Sequence, residues 1–151
     1  MLRNILIGLL IVLVVIQFIR PEKNQSGDTS KDITTVYNVP ANVQTILKEA
    51  CYDCHSNYTI YPWYSQIQPI AWWMEDHVND GKKHLNFSEF AAYTPKRQAH
   101  KMEETWEMIE KGEMPLNSYT WMHSGARLSK EQSTLLIEWA KSLQQQIEST
   151  L

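Results

Sequence analysis

The sequence predicts an all-α protein, a small helical domain preceded by a single transmembrane helix. Three observations predict it. The first twenty residues hold an almost unbroken apolar run. From Pro40 onward, apolar residues recur at helical spacing. No segment sustains a period-two alternation. With 151 residues, 43% apolar and 21% charged, the chain can bury the core of one domain and is not a disordered tail.

The apolar run comes first. Ile5 to Ile16 reads ILIGLLIVLVVI, and Leu2 to Ile19 is broken only by Arg3, Asn4 and Gln17. As a helix it would be roughly 27 Å long, just under a ~30 Å hydrocarbon core. Arg3 and Arg20 can snorkel at its two ends. Positive charge at the front favours an inside N-terminus and an exported remainder. The following Gln17-Phe18-Ile19-Arg20-Pro21 lacks the small residues of a cleavage site, and no Cys follows for lipid attachment. Residues 1–20 therefore read as an uncleaved membrane anchor.

Residues 21–39 are polar, rich in Ser, Thr, Asp and Asn, and read as a flexible tether. Residues 40–148 then form the domain. Pro40 opens a helix with Val43, Ile46, Leu47 and Ala50 on one face. A second helix is expected over Ser65 to Asn79, with Gly81 just beyond its end. Thr94-Pro95 supplies an N-cap and first position for a third, striped by Ala99, Met102, Trp106 and Ile109 and closed by Gly112. Ser129 to Gln132 is a capping box opening a last helix striped by Leu135, Leu136, Trp139, Ala140, Leu143 and Ile147.

Charge and cysteine usage exclude two classes. A net charge of −3 leaves no basic face for nucleic acid. Both cysteines fall in one five-residue stretch, so no disulfide framework is available.

That stretch is Cys51-Tyr52-Asp53-Cys54-His55. C-x-x-C-H is the attachment signal for a c-type haem. Two thiols three residues apart at the end of a helix can each bond one haem vinyl group, and the adjacent His lies under the iron as proximal ligand. Two rivals share part of the pattern. A thioredoxin-like dithiol belongs after a strand in a βαβ unit, which this chain lacks. A Cys2His2 zinc site needs a second ordered ligand pair, which His77, His84, His100 and His123 do not offer. The sequence thus points to one covalently held haem c in a small, class I cytochrome c-like domain.

Further residues carry a closer resemblance. Cys51 to Asn57, Tyr61-Pro62-Trp63-Tyr64, Gln68 to Trp73, His77-Val78 with Gly81-Lys82, and Leu85 to Ser88 resemble the bacterial haem-binding domain family. So do Gly112 to Leu116, Tyr119, His123, Ala126 to Ser129 and Trp139. The family comprises short exported proteins, many with an N-terminal anchor. The resemblance implies haem c binding and brings no particular reaction with it.

The iron's sixth position remains to be filled. Met114, in Gly112-Glu113-Met114-Pro115, is the first candidate, since a loop thioether stiffened by proline suits that role. His123 and His77 are the alternatives, followed by an open iron. Met102, Met108 and Met122 read as packing residues, His84 and His100 as solvated. Trp72, Trp73, Trp106 and Trp139 are expected in the core against the haem edge, and Tyr61 to Tyr64 as a pocket wall. Glu103, Glu104, Glu107, Glu110 and Glu113 read as a solvated helix face.

The resulting expectation is a monohaem c-type cytochrome that transfers electrons. It would be anchored in the bacterial cytoplasmic membrane with its haem domain on the periplasmic side. Its partners would be the membrane and a redox protein. The alternative is an open-iron haem domain with a peroxidase-like or gas-sensing role.

Overall fold

The computed structural model describes residues 1–151, and all of its regular structure is helical. Helix α1, Leu2–Ile16, is exposed at every position through Val15. It stops short of the expected Ile19. Phe18 and Ile19 bond back three residues to Val15 and Ile16, tightening the chain, and Pro21 bars the residue before it from helical geometry. No helix of the structure is long and apolar enough to cross a membrane.

The expected tether is not free. Ile33 is fully buried in the main core, and Val39 and Asp32 are buried with it. Asn24 donates to the Ser56 carbonyl and the Thr59 hydroxyl at 2.9 Å each. Gly27, at φ +64°, donates its N–H to the Asn57 carbonyl at 3.0 Å. Composition suggested a linker because the polar residues dominate; their partners, however, lie in the domain, and Ile33 and Tyr37 supply apolar contacts.

Helix α2, Ala41–Ala50, buries the four expected residues Val43, Ile46, Leu47 and Ala50. Its end runs into the one-turn helix α3, Tyr52–His55, so the two cysteines flank and occupy a single tight turn. Helix α4 spans Ile70–His84 rather than beginning at Ser65. Ser65 sits in a separate 3-10 turn, Trp63–Gln66, and Pro69 confines the helix start to the residue after it. Gly81 lies inside α4 instead of ending it.

Helix α5, Pro95–Glu110, is capped by the Thr94 hydroxyl as expected. Its C-terminus is a Schellman turn: Gly112, at φ +70°, and Glu113 donate to the carbonyls of Ile109 and Met108 at 3.0 and 2.9 Å. A short helix α6, Asn117–Met122, follows, which the sequence did not announce. The final helix α7, Lys130–Glu148, carries the complete Ser129–Gln132 capping box and packs along α5. Phe87, Phe90, Met102 and Leu136 fill the centre of the core.

One buried polar cluster ties the cysteine turn to the rest. The Asn57 amide donates to the Asp28 carbonyl and the Glu89 carboxylate at 3.0 Å each, and accepts from Asn86 at 2.8 Å. The Asn57 N–H donates to the Ser88 hydroxyl at 3.1 Å. Replacing Asn57 orphans several of these groups at about 1–3 kcal/mol each. Asn57→Ala is expected to lower the thermal midpoint by several degrees, since ~1 kcal/mol is worth roughly 2–4 °C at this size. Calorimetry of the holoprotein checks this, and an unchanged midpoint would contradict it.

Candidate functional site

A cavity of about 470 Å³ opens beside the cysteine turn, within the size range of cofactor clefts. Ala50, Cys51, Cys54 and His55 form one side. Helix α4 adds His77, Asp80, Gly81 and His84, followed by Leu85 and Phe87. Helix α5 adds Lys101, Glu104, Thr105, Met108 and Ile109, and the segment after it adds Met114, Pro115, Leu116 and Tyr119.

The cavity has two faces. Helix α3 packs on α2 and α4, whereas α5 packs on α7 and makes no comparable contact with α3 or α4. The cysteine turn and α4 therefore form one wall; α5 forms another with Met114, whose N–H bonds to the Met108 carbonyl at 3.2 Å.

His55 is held in a defined state. Its Nδ1 lies 2.9 Å from the Leu85 carbonyl. A carbonyl only accepts, so Nδ1 carries the proton and Nε2 keeps its lone pair. Burial holds the imidazole below its ordinary pKa, outweighing its hydrogen bonds to the Leu85 and Gly81 backbone, so the ring is neutral at pH 7. The Leu85 carbonyl is itself fixed. The Leu85 N–H bonds to Gly81 at 2.9 Å, and Asn86 is locked to Asn57.

Both cysteines are free thiols. Burial, followed by the neighbouring Cys54, pushes Cys51 up to about 12, and burial, followed by Asp53, pushes Cys54 up to about 11. Neither has the depressed pKa of a dithiol redox pair.

Gly81 makes the wall possible. A Cβ there would stand 2.5 Å from the Cys54 carbonyl oxygen and 3.0 Å from its Cβ. Only a glycine lets α4 lie this close to the cysteine turn.

Asp53, between the cysteines, braces the other side. One carboxylate oxygen accepts the Ile60 N–H at 2.9 Å, and the other accepts the Tyr119 hydroxyl at 2.8 Å. Burial and that carboxylate push the Tyr119 phenol upward, so it remains a donor. Tyr119 stacks on His123 with ring centroids 4.3 Å apart.

The expected ligands separate on this geometry. Met114 lines the cavity beside the end of α5. His77 lines the cavity from α4, with Nδ1 on its own Trp73 carbonyl at 2.8 Å. His123 lies instead on a smaller neighbouring pocket of about 60 Å³, its ring nitrogens 3.2 Å from the Tyr119 carbonyl and 3.4 Å from the Tyr64 hydroxyl.

Several expectations require correction. Met108 lines the cavity and is exposed rather than packed, whereas His84 is exposed as expected and lines the cavity as well. Glu104 keeps a solvated side chain as expected but also lines the cavity, beside the largely covered Lys101. None of Trp72, Trp73, Trp106 and Trp139 lines it: Trp72 bonds to the Ile19 carbonyl, Trp106 to Gln144, and Trp73 is exposed. Tyr64 walls the smaller pocket, and Trp63 is exposed. The aromatic lining comes from Phe87, stacked on Tyr52 at 5.5 Å, and from Tyr119. Lys101 has no sequence signature as a site residue, and the pairing of Asp53 with Tyr119 depends on turns that bring distant segments together.

A largely apolar cavity, two thiols on its rim and a neutral imidazole with a bare Nε2 fit a haem. The comparison with family models agrees. Residues 11–142 match the haem-binding domain, and the chain belongs to that family of haem proteins. Comparison with curated proteins and with solved structures returns no match.

The close approach at Gly81 yields a prediction. Gly81→Ala should drive α4 and the cysteine turn apart and lower the haem bound per chain. Absorbance per chain of purified protein measures this; full loading in the variant would contradict it.

Proposed function

We propose that this is a c-type haem protein that carries electrons while anchored to a membrane. The observation that carries the reading is the arrangement at the cysteine turn. Cys51 and Cys54 border the same cavity as His55, whose tautomer leaves Nε2 for a metal. In this reading both thiols form thioethers to one haem and His55 is the proximal ligand. The bound haem supplies an iron that cycles between ferric and ferrous states.

Met114 is the proposed sixth ligand. The Schellman turn at Gly112 brings the chain back along α5, and the Met114 N–H bonds to the Met108 carbonyl at 3.2 Å. The segment thus lines the cavity beside α5 rather than from the turn that carries His55, which supports Met114 as the sixth ligand. His77 and His84 rise from α4, on the same wall as His55. Met108 also lines the cavity from α5 and is the competing thioether. An iron closed on both faces suits electron transfer, whereas a five-coordinate iron would favour peroxide or gas chemistry.

Anchoring is supported by α1, a free-standing apolar helix that no part of the domain covers. At 15 residues it is about 22 Å long. The exposed Phe18 and Ile19 extend its apolar length, and bilayer thinning can absorb much of the difference from ~30 Å. In this reading the domain sits on the exported, periplasmic face, where c-type haem is attached, and hands electrons to a redox protein.

The ferric visible spectrum tests the ligand assignment. The wild type should show the weak sulfur-to-iron band at the red edge. Met114→Ala should abolish it and admit cyanide, whereas Met108→Ala should leave it in place. A band that survives Met114→Ala, or is missing from the wild type, would contradict the assignment.

A further inference from the structure

A group of exposed apolar side chains outside α1 lies on the side of the domain where α1 ends. Trp63 and Trp121 are 77% and 83% exposed. Ile67, Ile70, Trp73 and Met122 are exposed as well. The two halves of this surface meet. Trp63 packs edge-on against Tyr64 at 5.8 Å, and Tyr64, Trp73 and Met122 share the small pocket that holds His123. From Tyr58 to Met74 the chain carries no charged side chain, and none occurs from Leu116 to Met122. Surfaces of this kind mark interaction sites.

The same side is fastened to the end of α1. The Gln17 side chain donates to the Gln68 carbonyl at 3.2 Å and accepts the Gln68 N–H at 3.0 Å. The Ile19 carbonyl accepts from the Gln68 amide at 2.8 Å and from the Trp72 indole at 3.1 Å. The Arg20 guanidinium donates to the Gln66 carbonyl. These bonds leave little slack between helix and domain. A bilayer that holds α1 must bring residues 63–73 to its surface.

We propose that this aromatic face rests in the headgroup region of the bilayer beside α1, so that the domain is docked on the membrane rather than suspended above it. The proposal rests on the anchoring reading above. Lipid is the occupant because of three features. The face continues the apolar surface of α1 across a hydrogen-bonded joint. It is rich in Trp, whose ring and indole N–H suit the boundary between hydrocarbon and water. Two cations flank it, Arg20 at Gln66 and Lys23 over the Tyr61 ring at 5.5 Å, where lipid phosphates would lie. A helix shorter than the hydrocarbon core also draws the domain inward.

The test uses the full-length holoprotein in phosphatidylcholine–phosphatidylglycerol vesicles that contain a photoreactive lipid, with crosslinks mapped by peptide mass spectrometry. Labelling is expected in α1, in residues 58–74 and in residues 117–122. The pair Trp63→Asp with Trp121→Asp alters only exposed side chains. It should reduce labelling of the two domain segments several-fold and leave α1 labelling unchanged. Labelling confined to α1 in the wild type, or domain labelling that the pair does not reduce, would overturn the docked face while sustaining the anchor. Domain labelling without α1 labelling would sustain the face and overturn the anchor. The absence of both would overturn both.

Discussion

The site depends on the hydrogen bond between His55 Nδ1 and the Leu85 carbonyl. It fixes the ring's tautomer, leaves Nε2 as the only lone-pair nitrogen, and ties the cysteine turn to the end of α4. Much of the neighbouring polar structure holds that carbonyl in place. Leu85 closes α4 by bonding to Gly81, Asn86 is locked to Asn57, and Ser88 holds the Asn57 backbone. Gly81 completes the arrangement by letting α4 touch Cys54. A ligand imidazole gains little from its own pKa if its ring can turn; the rigidity supplied by these contacts gives the site its direction.

The α5 wall is built on a different principle. Helix α5 is held chiefly by α7, and it meets α2 and Phe87 in one shared core rather than packing on the cysteine turn directly. Asp53 adds a further tie by accepting from Tyr119 while it also accepts the Ile60 N–H. A haem bound in the cavity would bury apolar surface on the helices around it, which would make the cofactor a structural element of the domain.

Periodicity and caps were legible in the sequence wherever a helix is amphipathic and ends on a residue with a local mechanism. Thr94-Pro95, Gly112 and the Ser129–Gln132 box all act locally, and α2, α5 and α7 form where they predict. The cysteine turn was legible as a motif for the same reason, since Cys51, Cys54 and His55 lie within five positions. What required three dimensions was whatever depends on distant partners. Residues 21–39 look like a tether until Ile33 meets the core and Asn24 reaches Ser56. Gly81 looks like a helix stop until Cys54 is seen beside it. His123 and Met108 could not be sorted by spacing, because which wall a side chain joins is decided by tertiary packing.

The central claim is that the cysteine turn carries one haem through two thioethers, and intact-mass spectrometry after acid extraction of loose haem tests it most directly. The account predicts a chain heavier by one haem, with the added mass on the peptide containing Cys51, Cys54 and His55 and with no alkylatable thiol. A chain at its bare polypeptide mass, with both thiols open to iodoacetamide, would contradict it.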